Sequence, residues 1–496
     1  MLFALLLLPV LAGGAAFLIR PNPPRRALLL ATALGHAGFT ALAWLRPPAP
    51  AWDGWLRLDA PGLLFLAITS GLFLAVAFYA WGYLRREDPG RRQDFEQGLT
   101  FKNTREAIFT GCLLEFLGMM TLVTVSQHLG LLWVAVEATT LVSAPLIYFH
   151  RHKRSLEATW KYLMICSVGI ALALLGNFCL SVAAAHDGGG QVHLLLDSLL
   201  TRAPGLDAPW LRAAFLFLLV GYGTKMGLAP LHTWLPDAHS EAPSLISALL
   251  SGALLNCAFL AIFRVQQVMG AAGQAEFGQN LLLGFGLLSM AVAGAFIIGQ
   301  ADYKRLLAYS SVEHMGILAF ALGLGGAAGV GAMLHAVNHS LTKGMLFLAA
   351  GNILALYQSK STGDIRGVAR MLPVSGVLWA AGFLAITGSP PFGAFLSELM
   401  ILQAALAQGR PLLAVAFLLL LCLVFVGMGS AMLRMVQGQP AGLPAGMAPP
   451  TAPAREPWLA VLPPLCLGAG ALTLGLWIPA SLWTLLEQAG GALGAR

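Results

Sequence analysis

The chain has 496 residues, 58% of them hydrophobic and 10% charged, with a formal net charge of +7. Soluble domains carry about 25% charged residues, so this balance excludes a water-soluble globular protein. No nucleic-acid signal accompanies the positive excess, because in a membrane chain the placement of lysine and arginine matters more than their sum.

Apolar runs of about 18 residues or more, each enough to cross a hydrocarbon core of roughly 30 Å as a helix, recur from end to end. They predict an all-α polytopic membrane protein of about 14 transmembrane helices, at 2–19, 27–45, 61–84, 107–126, 129–149, 159–183, 211–242, 244–265, 280–300, 305–325, 329–357, 373–405, 411–436 and 457–480. The first run, Leu2 to Ile19, lacks a basic leading segment and a clear cleavage site and is read as a retained span. Four blocks are expected: 1–106 (spans one to three and a loop), 107–265 (spans four to eight), 266–436 (spans nine to thirteen) and 437–496 (a loop and span fourteen).

Twenty of the 29 lysines and arginines follow odd-numbered spans, among them Arg20, Arg25, Arg26, Arg85, Arg86, Arg91, Arg92, Lys102, Arg151, Lys153, Arg154, Lys304, Arg305, Lys360, Arg366 and Arg370. Seven fall in the other loops and the C-terminus, Arg46, Arg57, Arg202, Arg212, Arg264, Arg410 and Arg496. Cytoplasmic loops collect positive charge. The expected orientation therefore places odd-span ends in the cytoplasm and both termini on the other side of a bacterial inner membrane.

Two spans are interrupted. The seventh reads GYGTKMGLAPLHTWLPDAHSEAPS from Gly221, and the twelfth reads ITGSPPFGAFLSELMIL from Ile386. Proline removes a backbone donor and clashes with the preceding turn, so each should be a discontinuous helix. Breaks five spans apart predict two inverted five-helix repeats, spans four to eight and nine to thirteen, each with its gap near the midplane.

An ionised side chain at the bilayer centre costs roughly 2.5 to 3.5 kcal/mol even on the lenient insertion scale, so those that persist face a wet interior and have partners. Glu137 sits within span five, Lys225 just before the first break, Lys343 within span eleven and Glu398 after the second break. Burial pushes carboxylate and lysine pKa values towards each other, which suits both to load and release protons, and an ion pair of Glu137 with Lys225 that opens and closes would switch the lysine. The bland reading is a set of static salt bridges, but four separated groups favour a pathway. His335, His339 and Lys343, spaced i, i+4, i+8, make one stripe on span eleven. His314 lies beside Glu313 on span ten, and imidazole is the natural relay near neutral pH.

Metal binding by the histidine stripe is not expected, since a lysine shares it. His232, Asp237, His239 and Glu241 cluster at the first break as a funnel to one surface or as helix caps. His36 and His128 are read as hydrogen-bonded core residues, and Glu115 as a side chain near a helix wall. Glu157 and Lys161 are read as a local i, i+4 pair. The six cysteines lie in apolar segments without a CxxC pair and are read as packing residues.

Taken together, VEATT at Glu137, GTKMGLAPLHTWLPDAHSEAPS, DYKRLLAYSSVEHMG, HAVNHSLTKGMLFLAAG and GSPPFGAFLSELM resemble the antiporter-like subunits of respiratory complex I and of Mrp-type cation/proton antiporters. WVAVEATTLVSAPL, SLEATWKY and SVEHMG are most similar to the F component of hydrogenase-4 and formate hydrogenlyase complexes, without a long lateral helix after span fourteen. The resemblance implies that Glu137 and Lys225 serve a first half-channel, Lys343 with His335 and His339 a central axis, and Glu398 the end of a second. Where many relatives carry a lysine or histidine on span eight, this chain has Asn256, so the link between Lys225 and Lys343 must run through water, His314 or another residue.

The expected function is proton translocation along Glu137, Lys225, Lys343 and Glu398, within a multisubunit membrane complex whose other membrane and peripheral subunits carry the redox chemistry. No nucleotide, flavin, cluster or quinone-specific motif is present in the sequence, and no cofactor is expected in this chain. The alternatives are a sodium/proton antiporter or inorganic-carbon uptake component, and a non-conducting structural subunit.

Overall fold

The computed structural model describes residues 1–87, 90–95, 98, 100–185, 194–443 and 453–493. Arg496 and the side chains of Arg91 and Arg92 lie outside the described residues. Three helices open the chain: α1 (Leu2–Leu18), α2 (Asn22–Leu45) and α3 (Ala60–Arg86). Asp59 caps α3 by accepting a hydrogen bond from the Gly62 amide at 3.0 Å, satisfying one of the amides a helix start leaves unpaired. A short antiparallel hairpin follows, β1 (Arg91–Gln93) paired with β2 (Thr100–Lys102), where no strand was expected.

Next come α4 (Glu106–Val125), α5 (Leu129–Ile147), α6 (Lys153–Ala185) and the short α7 (Leu196–Arg202). The seventh span is split into α8 (Ala208–Met226) and α9 (Trp234–Glu241). The eighth consists of α10 (Ser244–Leu249), a π-helical turn (Leu250–Leu254) and α11 (Leu255–Ala271). The second repeat holds α12 (Ala275–Ile297), α13 (Tyr303–Leu324) and α14 (Ala328–Tyr357). After the short α15 (Val368–Met371) it continues with the split pair α16 (Pro373–Ile386) and α17 (Gly393–Ala407), then α18 (Pro411–Val436). The chain finishes with α19 (Trp458–Leu476) and α20 (Ala480–Gly491), a helix not expected from hydropathy.

Among the described residues, eleven helices are long and apolar enough to cross a membrane. With α1 and the two split spans, they give the fourteen crossings expected of an all-α polytopic membrane protein, in two five-helix repeats that each contain a discontinuous helix. Burial separates their roles. The span running from α10 through α11, together with α13 and α14, lies in the middle of the bundle, whereas α18 and α19 keep most of their surface at the periphery. Cys422 and Cys466 are exposed on these peripheral helices, so unlike Cys166, Cys179 and Cys257 they are not interior packing residues.

The breaks arise where the sequence placed them. α8 stops at Gly227, whose φ of 81° is the left-handed conformation that glycine adopts without a Cβ penalty, and the Leu228 amide closes the end on the Gly223 carbonyl at 2.9 Å. α16 stops before Gly388, with φ 61°, and the Ser389 amide reaches back to the Leu384 carbonyl at 2.9 Å. A side chain at Gly388 would also collide with the Glu398 carboxylate.

Candidate functional site

Lys225 occupies the last turn of α8, where unpaired carbonyls favour a cation. It is fully buried. Its Nζ donates to Thr140 Oγ1 on α5 and to the Tyr162 hydroxyl on α6, both at 2.7 Å, and stands 4.6 Å from the centre of the Tyr162 ring. Glu137 is half-buried one turn before Thr140 and accepts from the Thr140 hydroxyl at 3.1 Å and from Ser167 at 3.0 Å. Lys225 and Glu137 are therefore joined through a hydroxyl rather than as the direct ion pair expected from their charges.

In the second repeat the connecting groups are imidazoles. His314 on α13 and His335 on α14 are hydrogen-bonded, Nδ1 to Nε2, at 2.8 Å, and the His339 ring centre lies 4.9 Å from that of His314. His335 Nδ1 is bonded to Ser397 on α17 at 3.0 Å, one residue from Glu398. A helical side chain leans towards its own N-terminus, which carries the Glu398 carboxylate back over the break onto Gly388. A cavity of about 260 Å³, lined by Thr387, Glu398, Leu402, Phe417 and Cys422 among others, opens beside it.

Lys343 donates to the Leu307 carbonyl at 2.6 Å and to Ser310, both on α13, and touches no carboxylate among the described residues. Glu313 is buried three residues further along the same helix, with one carboxylate oxygen unpartnered.

Donor atoms of His314, His335 and Glu398 lie within 4.8 Å of one another, the grouping a metal would need. The two imidazoles, however, are bonded to each other at 2.8 Å, closer than the roughly 3.3 Å that two ligands 2.0–2.1 Å from a tetrahedral zinc would keep. In this arrangement one nitrogen of each ring is spent on the other, and His335 Nδ1 is spent on Ser397.

Between the halves the connection is neutral. Asn256 donates to Ser340 on α14 at 2.8 Å and to the Gly252 carbonyl at 3.0 Å. Ser251, in the π-helical turn, shares a hydrogen bond with Ser311 at 2.8 Å, and its carbonyl lies 3.3 Å from His339 Nε2. The site uses π geometry where such turns are often found. No side-chain hydrogen bond joins Lys225 to this group among the described residues.

The residues at the first break separate into three settings. Asp237 sits in a surface ion cluster with Lys161 at 2.9 Å and Arg305 at 2.5 Å, away from the row. Lys161 is also 2.7 Å from Glu157, the expected local pair. Glu241 pairs with Lys360 at 3.0 Å and lines a cavity of about 530 Å³ beneath the β1–β2 hairpin, with His152, Arg154, Lys304 and Asp94. Burial pushes the His152 imidazole below its ordinary pKa, against the opposing pull of Glu241 3.6 Å away. His239 is fully buried, stacks on Phe347 at 5.0 Å and has neither ring nitrogen partnered, while His232 lies 6.1 Å from the Tyr309 ring. Among the described residues, His232 and His239 are thus the members of this cluster that pair with no charged group.

Off the row, His36 bonds Ser70 and Thr121 at 2.9 and 3.0 Å in the packed interior. His128 instead caps α5, accepting from the Gly130 amide at 3.2 Å, and stacks on Trp55 at 4.0 Å. Glu115 lies against Gly13 of α1 at a helix wall.

A fourteen-span bundle with two broken helices and a buried chain of lysine, carboxylate, imidazole and hydroxyl groups defines a polytopic membrane protein with a polar interior built for charge. The family model described as NADH:quinone oxidoreductase/Mrp antiporter, TM, matches residues 126–424, more than half of the chain, and the chain belongs to that family.

It is 37% identical over 390 residues to a hydrogenase-4 component F homolog of Methylacidiphilum infernorum, covering 78% of this chain and 79% of the relative. Hydrogenase-4 component B of Escherichia coli is 28% identical over 388 residues, which cover 76% of this chain and about half, 54%, of that longer protein. The fold matches a chain of respiratory complex I from Thermus thermophilus with bound NADH, with a TM-score of 0.80, 23% identity and the full length of both chains covered.

Proposed function

We propose that this chain is a proton-conducting membrane subunit of a redox-driven complex of the hydrogenase-4/complex I type. The observation that carries this reading is the set of fully buried lysines: Lys225 and Lys343 are both 0% exposed, and hydroxyl and carbonyl groups hold them without a touching carboxylate among the described residues. A lysine locked in a salt bridge would serve packing. One held by neutral acceptors can lose and regain a proton without leaving a buried carboxylate unpaired, which would cost several kcal/mol.

Protons load at Lys225 beside Glu137, cross the neutral stretch at Asn256 and Ser251 with the help of water, and reach Lys343. His314, His335 and His339 then deliver them to Glu398. Glu313 and His239 flank Lys343 as further charge-bearing groups, with His232 and Asp237 at the outer part of the first break. The chain is organised as 1–106, 107–265, 266–436 and 437–496, each middle block carrying one half of the row. It works in a bacterial inner membrane with both termini outside the cytoplasm, beside other membrane subunits and peripheral redox subunits that supply the driving reaction.

The test is Lys225→Ala in the complex purified with its partners and reconstituted in vesicles. Intact assembly with lost proton translocation supports conduction, whereas intact assembly with unchanged coupling supports a structural role. Translocation that requires sodium would mark an antiporter.

A further inference from the structure

We propose that Thr140 is the positioning residue that couples Glu137 to Lys225, its hydroxyl accepting from the lysine and donating to the carboxylate. This inference rests on the conducting role of Lys225. Thr140 behaves unlike its neighbours. Helical threonines and serines ordinarily give their proton to a carbonyl one turn back. In this region Thr139 donates to Val136 at 2.6 Å, Ser143 to Thr139 at 2.7 Å, Thr159 to Ser155 at 2.7 Å and Thr224 to Val220 at 2.7 Å. The Thr140 hydroxyl points across the bundle instead, 3.1 Å from Glu137 Oε2 and 2.7 Å from Lys225 Nζ.

A hydroxyl has one proton to give and two lone pairs. Against an ammonium it can only accept, and against a carboxylate it can only donate, so one oxygen fits between the two groups in a single orientation. A proton can then pass without either charged side chain moving. An N–H bond of Lys225 breaks as an O–H bond forms at Thr140 Oγ1, while the original Thr140 O–H breaks and a bond forms at Glu137 Oε2. Lys225 ends neutral, Glu137 ends as the carboxylic acid, and Thr140 is unchanged.

Tyr162 steadies the donor side. Its hydroxyl accepts from Lys225 at 2.7 Å and is tied to Ser143 at 2.7 Å. Ser167 fixes the far oxygen of Glu137 at 3.0 Å. Each end of the bridge therefore keeps a partner while the centre exchanges protons.

The experiment compares Thr140→Val, which has the same shape without the hydroxyl, with Thr140→Ser, which keeps it, in the reconstituted complex. Lys225→Ala serves as the reference. Proton translocation should fall about tenfold in Thr140→Val, the scale of one lost hydrogen bond to a charged group, and stay within about twofold of the parent in Thr140→Ser. The pH midpoint of translocation should move by about one unit in Thr140→Val and hold in Thr140→Ser.

A purely structural role would lower activity without moving the midpoint. Wild-type translocation by Thr140→Val, or equal losses in both variants, overturns the proposal. Should Thr140→Val impair assembly, Thr140→Ala replaces it in the same comparison, with the same outcomes deciding. If Lys225→Ala itself translocates normally, the conducting role of the row is what has failed.

Discussion

The two halves of the buried row solve one problem with different chemistry. In the first, a lysine at the carbonyl end of α8 is linked to Glu137 by the Thr140 hydroxyl and steadied by that of Tyr162. In the second, a carboxylate near the amide end of α17 is approached through the His314–His335 pair and Ser397. Each break thus places the charge that its own helix end favours, cation on carbonyls and anion towards amides. A hydroxyl accepts one proton as it releases another, whereas an imidazole can hold one and become charged. On the proposed route the first half therefore exchanges protons directly, and the second stores one on its way.

Outside the buried lysines themselves, the largest effect expected from disturbing this arrangement is at Gly388. Gly388→Ala puts a side chain into a left-handed residue, a strain of about 1–3 kcal/mol, and into the space of the Glu398 carboxylate. Proton translocation by the complex should drop at least about tenfold, with a lower melting temperature. An unchanged rate would show that Glu398 need not sit over the break.

A smaller effect should follow at the junction of the halves. Asn256→Leu removes the contacts to Ser340 and Gly252 and should slow translocation roughly fivefold, the equivalent of one neutral hydrogen bond of about 1 kcal/mol. Asn256→His should not slow it. Equal slowing by both would assign Asn256 to packing.

The smallest effect is at the basic end, outside the row. Burial holds the His152 imidazole below its ordinary pKa of 6.5, so as pH falls below that value the unfolded chain takes up a proton that the folded chain resists. Stability should therefore decline with acidity until the lower native pKa is passed. The melting temperature of His152→Gln should fall less than that of the parent between pH 7 and 5. Parallel curves would remove His152 from the account.

Much of this was legible in the sequence. Length and apolarity placed the fourteen spans, proline and glycine placed both breaks, and the cost of burying charge singled out Lys225, Lys343, Glu137 and Glu398. The hydroxyls were not legible. Thr140, Ser310 and Ser397 look like any small polar residues on a helix, and only their orientation gives them a role, although Thr140 stands one turn from Glu137 and could have been flagged by that spacing. The bridge between Glu137 and Lys225 was not legible for the same reason, since sequence names two opposite charges but not the group between them.

The β1–β2 hairpin has strands of three residues each, too short for a periodic signal. α20 follows α19 after a brief break at 477–479 and carries a mixed surface that hydropathy alone passes over.

The central claim, that protons move along the row, is tested most directly at Lys343, whose fully buried amine contacts a carbonyl and a serine hydroxyl. The measurement is the number of protons translocated per turnover by the reconstituted complex carrying Lys343→Met, with its composition verified in the same preparation. The account predicts a fully assembled complex whose proton yield falls to background. A parent-like yield from that complex would contradict it.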